Sequence, residues 1–153
     1  GADGDRRPCG GSGQDGELQA GTVWPQPRFE VGPDGVLDRL TGLVWSRQAD
    51  PTGTATTWSE ALEAVGRIRG GHPGQWRLPN INELESLVDA GRHAPALPAD
   101  APFADCRDAY WSASTSLYET DWAWVLYLDK GAVGVGQKAG RHFRVWPVRD
   151  GPA

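Results

Sequence analysis

Two short amphipathic segments with helix-capping signals lie in the middle of this chain, between stretches in which apolar residues alternate with polar ones. Thr57 with Glu60, and Asn80 with Glu83, have the spacing of capping boxes. The first predicted helix has an apolar stripe and ends at Gly70-Gly71; the stripe consists of Trp58, Ala61, Leu62, Val65 and Ile68. The second runs to near Gly91, with a stripe of Ile81, Leu84, Leu87 and Val88.

Alternating patterns on both sides of the helices predict β-strands. Residues 28–31 and 36–37 flank a Gly-Pro-Asp-Gly turn, in which Gly35 can adopt a positive φ, and so predict a hairpin. Further strands are predicted at 43–45, 110–114, 122–128, 133–137 and 143–148, with a turn at 129–131. The chain has no βαβ repeat. It is therefore predicted to be a single α+β domain with two helices and short, mainly antiparallel sheets.

The 153 residues divide into a glycine-rich arm at 1–22, a globular unit at 23–149 and a tail at 150–153. The arm contains almost nothing apolar, so it cannot offset its ordering entropy in isolation. A net charge of −5 argues against binding to nucleic acid or to an anionic membrane surface. No apolar run approaches the roughly 20 residues needed to span a bilayer, so direct membrane insertion is not expected.

Motifs for catalysis are weak. Residues 134–139 match G-x-G-x-x-A, but strand-like sequence follows where a dinucleotide site needs a helix. His72, His93 and His142 lie in loops or at a strand entrance, with no G-x-S-x-G elbow and no H-E-x-x-H pair. We therefore predict no catalytic residue and interpret the chain as a non-enzyme.

The sequence also contains few residues that could bind a metal ion or act as thiols. Four aspartates offer oxygen ligands for calcium without forming an EF-hand loop: Asp34, Asp38, Asp121 and Asp129. No metal site or cofactor is predicted, and calcium is the one ion left open. Cys9 and Cys106 are too far apart for a C-x-x-C motif or a zinc cluster. They form either one disulfide in an oxidising compartment or two free thiols.

Tryptophan is unusually frequent, with eight in the chain. Five of them fit a packing role in the core: Trp45, Trp58, Trp76, Trp111 and Trp146. In the segment 117–128, alternation places Trp124, Leu126 and Leu128 on one face, and the remaining aromatics cannot all share that face. Some aromatic side chains must therefore face outward near the loop 117–121.

The predicted binding surface combines these outward aromatics with charged neighbours. Exposed Tyr and Trp side chains rimmed by charges are typical of surfaces that bind sugar rings or protein partners. The eight predicted ligand-binding residues are Tyr118, Glu119, Asp121, Trp122, Lys138, Arg141, His142 and Arg144. If the basic members bind sulfated glycans, affinity should fall steeply with salt.

The order of motifs resembles a known family. GQDGELQAG, WPQPRFEV, LDRLTGLVW, WRLPNINELESLVD, YWSAST, AWVLYLDKGAV and VWPVR follow one another over residues 14–149. This succession is similar to the C-terminal domain of the Legionella collagen-like adhesin. The resemblance implies a C-type-lectin-like fold of the formylglycine-generating-enzyme subtype, in a bacterial, secreted or surface-displayed protein that binds glycans. Related folds include the variable proteins of diversity-generating retroelements, in which C-terminal strands and loops carry the diversified ligand contacts.

A structural role is predicted for a second set of residues: Trp76, Arg77, Trp111, Arg149, Cys9 and Cys106. Arg77 precedes a capped helix, where its guanidinium can hold loop carbonyls or a carboxylate such as Glu83. The leading hypothesis is a noncatalytic extracellular module that recognises a glycan or a surface protein. The alternatives are an enzyme reusing the formylglycine-generating fold, although the cysteine pair for that chemistry is absent, and a structural or oligomerising domain. The sequence identifies neither the ligand, nor the oligomeric state, nor the anchoring partner.

Overall fold

The computed structural model describes residues 25, 27–33, 35–68 and 76–151. The predicted arm at 1–22, Cys9, Asp34, Gly70-Gly71 and His72 lie outside the described residues. The elements in chain order are β1 (Phe29–Gly32), β2 (Gly35–Asp38), β3 (Leu43–Trp45), α1 (Trp58–Arg67), α2 (Ile81–Glu85), β4 (Ala109–Thr115), β5 (Trp122–Tyr127), β6 (Ala132–Gln137) and β7 (Val148–Asp150). No helix among these is both long and apolar enough to cross a membrane.

The strands form two antiparallel sheets, so the predicted α+β class is confirmed. One sheet has the order β1-β2-β3-β7 and the other the order β4-β5-β6. The first hairpin forms as predicted: Gly32 pairs with Gly35, which adopts φ +147°. A Cβ at Gly35 would lie 2.8 Å from the carbonyl oxygen of Trp45, so the close approach of β3 also requires glycine there.

Both helices begin where the sequence predicts. The Thr57 and Asn80 side chains accept hydrogen bonds from the backbone N–H groups of Glu60 and Glu83, and both capping boxes are complete. Such caps each contribute about 1 kcal/mol. In α1, Ala61 and Val65 are buried, but Leu62 is 38% exposed, so its place in the predicted stripe was wrong.

The second helix is shorter than predicted. It ends at Glu85, and the Ser86 hydroxyl donates a hydrogen bond to the Glu83 carbonyl. The next N–H groups bond three residues back, from Leu87 to Leu84 and from Val88 to Glu85. Serine competes for backbone groups in this way. The apolar spacing therefore continues through tighter turns that are not α-helical.

The predicted last strand, 143–148, was also wrong. Phe143 and Arg144 make only isolated bridges, to Thr56 and Tyr110, and regular pairing begins at Val148. Pro147 has no N–H to donate to a ladder. Val145, Trp146 and Val148 are all fully buried, so the alternation of a strand with one wet face is lost there.

The core has two parts on opposite sides of the β4-β5-β6 sheet. The larger part lies between the two sheets and α2 and centres on Trp146, whose ring is 4.8 Å from Phe103 and 5.2 Å from Tyr110, centroid to centroid. The smaller part lies under α1 and contains Trp111, Val125 and Phe143. The indole N–H groups of Trp146 and Trp111 donate to the carbonyls of Ser46 and Thr56. The predicted packing role of these tryptophans is confirmed.

Arg77 joins helix α2 to the end of the first sheet. It donates two hydrogen bonds of 2.7 Å to the Glu83 carboxylate and one of 2.9 Å to Asp150. Burial acts to raise the pKa of Glu83, but the hydrogen bonds from Arg77 and from the Asn80 backbone outweigh it, so the pKa is lowered. Arg149 differs from Arg77: its guanidinium lies over the buried Trp76 ring at 5.3 Å.

Candidate functional site

The loop between β4 and β5 projects two apolar side chains into solvent. Leu117 is 90% exposed and Tyr118 is 92% exposed. The loop is closed by hydrogen bonds from the Ser116 N–H to the Trp122 carbonyl and from the Trp122 N–H to the Glu119 carbonyl. The Ser116 hydroxyl also accepts from the N–H groups of Tyr118 and Glu119, at 3.4 Å each. The sequence prediction that an aromatic side chain faces outward here therefore holds for Tyr118.

Lys138 ties this loop to the body of the domain. Its N–H donates to the Asp121 carbonyl at 2.8 Å, and its carbonyl accepts from the Trp58 N–H. The Lys138 ammonium donates to the Thr115 hydroxyl at 3.0 Å and lies 3.9 Å from the centre of the Trp58 ring. An ammonium over an indole face is held by the ring quadrupole. The Lys138 side chain thus contributes to the scaffold beneath the loop.

Arg141 is paired with the first turn of α1. Its guanidinium donates to both oxygens of Glu60, at 3.2 and 2.8 Å. The hydrogen bond from Arg141, and then that from the Thr57 backbone, lower the pKa of Glu60 to about 2. The same carboxylate closes the capping box of α1. Arg141 is exposed, but its charge is neutralised locally.

Arg144 belongs to a partly buried ion cluster. The Asp50 side chain is fully buried and accepts from Arg144 at 3.1 Å and from Arg107 at 2.8 Å. The Arg107 N–H donates to the Tyr110 hydroxyl, and burial raises the pKa of Tyr110. Backbone bonds from Arg144 to Ala109 and from Trp111 to Arg144 fix the same segment. Three of the four basic residues predicted to bind ligand therefore have partners within the domain.

A groove of about 560 Å³ lies beside β5 and β6 and includes residues from both ends of β5. We call it the β5–β6 groove. Three aromatic residues border it: Trp122, Tyr127 and Phe143. The Tyr127 and Phe143 rings lie over Gly134 and Gly136, on the face of β5 that carries Ala123 and Val125. Trp122 pairs with Gln137 and by alternation belongs to the opposite face. Its volume falls within the range of about 300–1,000 Å³ that is usual for ligand sites. Trp122 and Tyr127 are partly buried and Phe143 is buried.

Five polar residues complete the lining: Asp108, Asp129, Lys130, Gln137 and His142. Within the described part of the chain, none of these five makes a hydrogen bond or an ion pair through its side chain. The two aspartates offer hydrogen-bond acceptors and the lysine offers a donor. The glutamine amide and the histidine imidazole can each donate and accept. The groove therefore combines apolar rings with free donors and acceptors.

Glycines on β6 shape the strand beside the groove. Gly134 and Gly136 share a face with Val125 and Ala123, their partners on β5. A Cβ at Gly134 would lie 2.8 Å from a ring carbon of Tyr127, and one at Gly136 would collide with the Phe143 ring. Side chains at these two positions would displace the rings that line the groove.

The structure brings together only some of the predicted ligand-binding residues. Trp122 and His142 line the groove, and Tyr118 and Glu119 lie on the adjacent loop. Six groove residues were not among the eight predicted contacts: Asp108, Tyr127, Asp129, Lys130, Gln137 and Phe143. Gln137 and Phe143 do lie within the segment 137–144 that the sequence predicted as part of the surface. The alternating glycines of β6 were the available signal, since a strand face without side chains leaves room for rings or a ligand.

The cysteines and the candidate metal ligands bear on the alternative functions, an enzyme or a calcium-binding domain. Cys106 is disulfide-bonded, so it is not a free thiolate nucleophile. The only other cysteine of the chain, Cys9, lies outside the described residues. Asp38, a calcium candidate, is fully buried and accepts two hydrogen bonds from Arg28. Over the described ranges, no three His, Cys, Asp or Glu side chains are arranged to hold a metal ion.

Comparison with models of known protein families shows which family the chain belongs to. The model described as the Lcl C-terminal domain matches residues 34–149, about three quarters of the sequence. The chain belongs to this family. The match confirms the resemblance found in the motifs, and the Lcl C-terminal domain is an adhesin-associated domain. No curated protein matches the chain. The Lcl C-terminal domain match includes both the exposed loop and every residue of the β5–β6 groove.

Proposed function

We propose that this domain is a noncatalytic recognition module, displayed outside a bacterial cell, that binds a surface glycan or protein. Membership of an adhesin-associated family supports this proposal, as does a disulfide at Cys106, because disulfides persist in oxidising compartments. Its contact surface consists of the loop that carries Leu117 and Tyr118 and the adjoining end of the β5–β6 groove. The fold that we propose for it is the C-type-lectin-like one.

The observation that carries the proposal is the exposure of Leu117 and Tyr118 on a hydrogen-bonded loop. A side chain that is about nine-tenths exposed contributes little to the stability of its own domain. A tyrosine offers a large contact area at low entropic cost, and aromatic anchors dominate the binding energy of most interfaces. A loop closed by backbone hydrogen bonds holds such an anchor ready, which reduces the ordering cost of association.

The basic residues support a smaller role than the sequence predicted. Lys138, Arg141 and Arg144 would have to give up Thr115, Glu60 and Asp50 before pairing with a sulfated ligand. Each exchange would cost existing hydrogen bonds, and Asp50 would be left buried with one partner fewer. The proposal therefore rests on the loop and the groove, with His142 as the one predicted basic residue on the groove.

The substitution Tyr118→Ala tests the proposal. We expect the free energy of unfolding to change by less than about 0.5 kcal/mol, as is usual for an exposed side chain. Binding to ligands found on a combined glycan and surface-protein array should fall about tenfold or more. Tyr110→Ala is the matched control for folding, because the Tyr110 ring is fully buried; it should destabilise the domain by about 3 kcal/mol or more.

Two outcomes would contradict the proposal. Unfolding of the Tyr118→Ala domain would assign the side chain to packing and favour a structural or oligomerising role. A stable variant that binds every array ligand as well as the parent would remove the loop from the contact surface. The retroelement version of the proposal has a separate test: adenine-rich codons in the gene should then coincide with the exposed positions of the loop.

A further inference from the structure

We propose that β6 pairs along its free edge with β6 of a second copy of this chain. Two three-stranded sheets then join into one continuous antiparallel sheet. β6 is an outer strand of the sheet with the order β4-β5-β6. The proposal concerns a surface different from the exposed loop and goes beyond the recognition function.

The β5–β6 register determines which backbone groups of β6 point outward. The Lys138 N–H donates to the Asp121 carbonyl, one step beyond the last residue pair of the two strands. Antiparallel residue pairs alternate between hydrogen-bonded and non-hydrogen-bonded, so every second residue of β6 turns its N–H and C=O away from β5. These outward residues are Val133, Val135 and Gln137.

Most of these outward groups have no partner. In the part of the chain that the structure describes, no strand and no isolated bridge pairs with this edge of β6. The Gln137 carbonyl accepts from the Gly140 N–H, and the outward groups of Val133 and Val135 make no hydrogen bond there. A row of unpaired backbone groups is the surface that a further strand binds.

The opposite edge of the same sheet is covered. On the outer side of β4, the Trp111 N–H donates to the Arg144 carbonyl and the Ala113 N–H donates to the Pro79 carbonyl. Two other segments of the chain therefore occupy the place that an additional strand would need.

The two edges of the other sheet are short and charged. β1 has four residues and includes Glu30, and β7 has three residues and includes Arg149 and Asp150. Natural sheets use such edges to prevent pairing between molecules. β6 differs, because its six residues contain neither a charge nor a proline. The Val133 and Val135 side chains are 38% and 39% exposed, so this edge also offers apolar contacts.

The chemistry of β6 favours a second copy as the partner. β6 has no charged side chain with which to select a foreign strand, and two copies meet along it without like-charge repulsion. Two strands related by a two-fold axis run antiparallel. Lys138 of one copy then lies toward the turn at 129–130 of the other, which contains Asp129, and away from the second Lys138.

The outward residues also fix the register of the pair. Pairing all three of them places Val135 opposite Val135 of the second copy, and Val133 opposite Gln137. The two-fold axis then passes beside Val135. A substitution at this position therefore meets its own copy, about 5.5 Å away between Cα atoms.

Analytical ultracentrifugation of the intact chain over a range of concentrations tests the proposal. We expect a monomer–dimer equilibrium whose mass approaches twice 16.5 kDa at high concentration. Val135→Lys and Val135→Glu each place two like charges opposite one another, and each should weaken dimerisation about tenfold or more. An equimolar mixture of the two variants should dimerise again, because opposite charges then face each other across the strands.

Two further measurements separate the edge from the rest of the surface. Val31→Lys is the matched control, because Val31 is an exposed valine on the edge strand β1; this variant should dimerise as the parent does. Amide hydrogen exchange of the parent needs no variant. The N–H groups of Val133 and Val135 should exchange more slowly as the concentration rises, because pairing removes them from water.

Several results would overturn the proposal. One is a chain that stays monomeric up to about 1 mM, the range of very weak association. Another is a dimer that persists in both Val135 variants, or a mixture of these variants that stays monomeric, because β6 would then not meet its own copy. Tyr118→Ala should leave the dimer intact. Loss of the dimer in Tyr118→Ala would place the interface on the exposed loop and contradict the pairing of β6.

Discussion

The basic residues at 138–144 and the polar residues of the β5–β6 groove lie on neighbouring parts of the surface but are used differently. Lys138, Arg141 and Arg144 each have a partner supplied by another part of the chain. The five polar side chains of the groove have no such partner among the described residues. A charge visible in the sequence is thus available to a ligand only if the fold has not already paired it. This difference moves the predicted site from the basic residues toward the groove.

The largest expected effect compares the aspartate that pairs with Arg144 with an aspartate of the groove. Asp50→Ala removes a buried carboxylate shared by Arg107 and Arg144, and should lower the free energy of unfolding by about 2 to 3 kcal/mol. The loss stays below that of a fully buried pair because Arg107 is 46% and Arg144 28% exposed. Asp108→Ala, on the groove, should change stability by less than about 0.5 kcal/mol. Denaturant unfolding of both variants measures the difference.

Equal losses in these two variants would show that the groove aspartate is also part of the scaffold. An Asp50→Ala domain as stable as the parent would break the comparison from the other side. It would mean that the hydrogen bonds of Asp50 only offset the cost of burying its charge. Arg144 could then be released to a ligand without a net loss of stability.

The two lysines of the chain form a second matched pair. Lys138→Ala removes the contact with the Trp58 ring and the hydrogen bond to Thr115, and should cost about 1 kcal/mol. Lys130→Ala removes an exposed side chain on the groove and should leave the free energy of unfolding within about 0.5 kcal/mol of the parent value. Thermal unfolding at fixed pH measures both. A larger loss at Lys130 would contradict the assignment of the scaffold role to Lys138.

The smallest expected effect is a dependence on acid. Because Arg141 lowers the pKa of Glu60 from 4.5 to about 2, the folded state favours the carboxylate. The stability this adds is present above about pH 4.5 and is lost as the pH falls toward 2. Glu60→Gln should flatten the stability profile in this window. Glu63→Gln, three residues further along α1, should change it little, because the Glu63–Arg67 ion pair is 3.7 Å long and largely exposed. If the stability profile of Glu60→Gln were the same as that of the parent, Arg141 would not be paired with Glu60 in solution.

The sequence predicted those features that depend on neighbouring residues. Both capping boxes, the first hairpin with its glycine, and the β5–β6 turn are local patterns, and the structure contains all of them. It failed where long-range packing overrides local pattern. The strand predicted at 143–148 is interrupted because Pro147 cannot pair and because its neighbours are buried on all sides.

The candidate site was less predictable for the same reason. The partners of Arg144 and Arg141 lie 94 and 81 residues away in the chain, so their pairing leaves no short-range trace. The groove is built from five segments, of which the sequence singled out Trp122 and His142. The exposure of Tyr118 was predictable, because alternation over residues 117–128 could not place every aromatic side chain on the same buried face.

The relative chemical reactivity of Lys130 and Lys138 tests the central claim most directly. Limited acylation of the intact domain, followed by mass spectrometry of its peptides, compares both amines in one sample. Lys130, exposed on the groove, should react severalfold faster than Lys138, which is held over the Trp58 ring. Equal rates, or faster reaction at Lys138, would mean that the basic segment is as free as the groove, and the distinction between scaffold and binding surface would not hold.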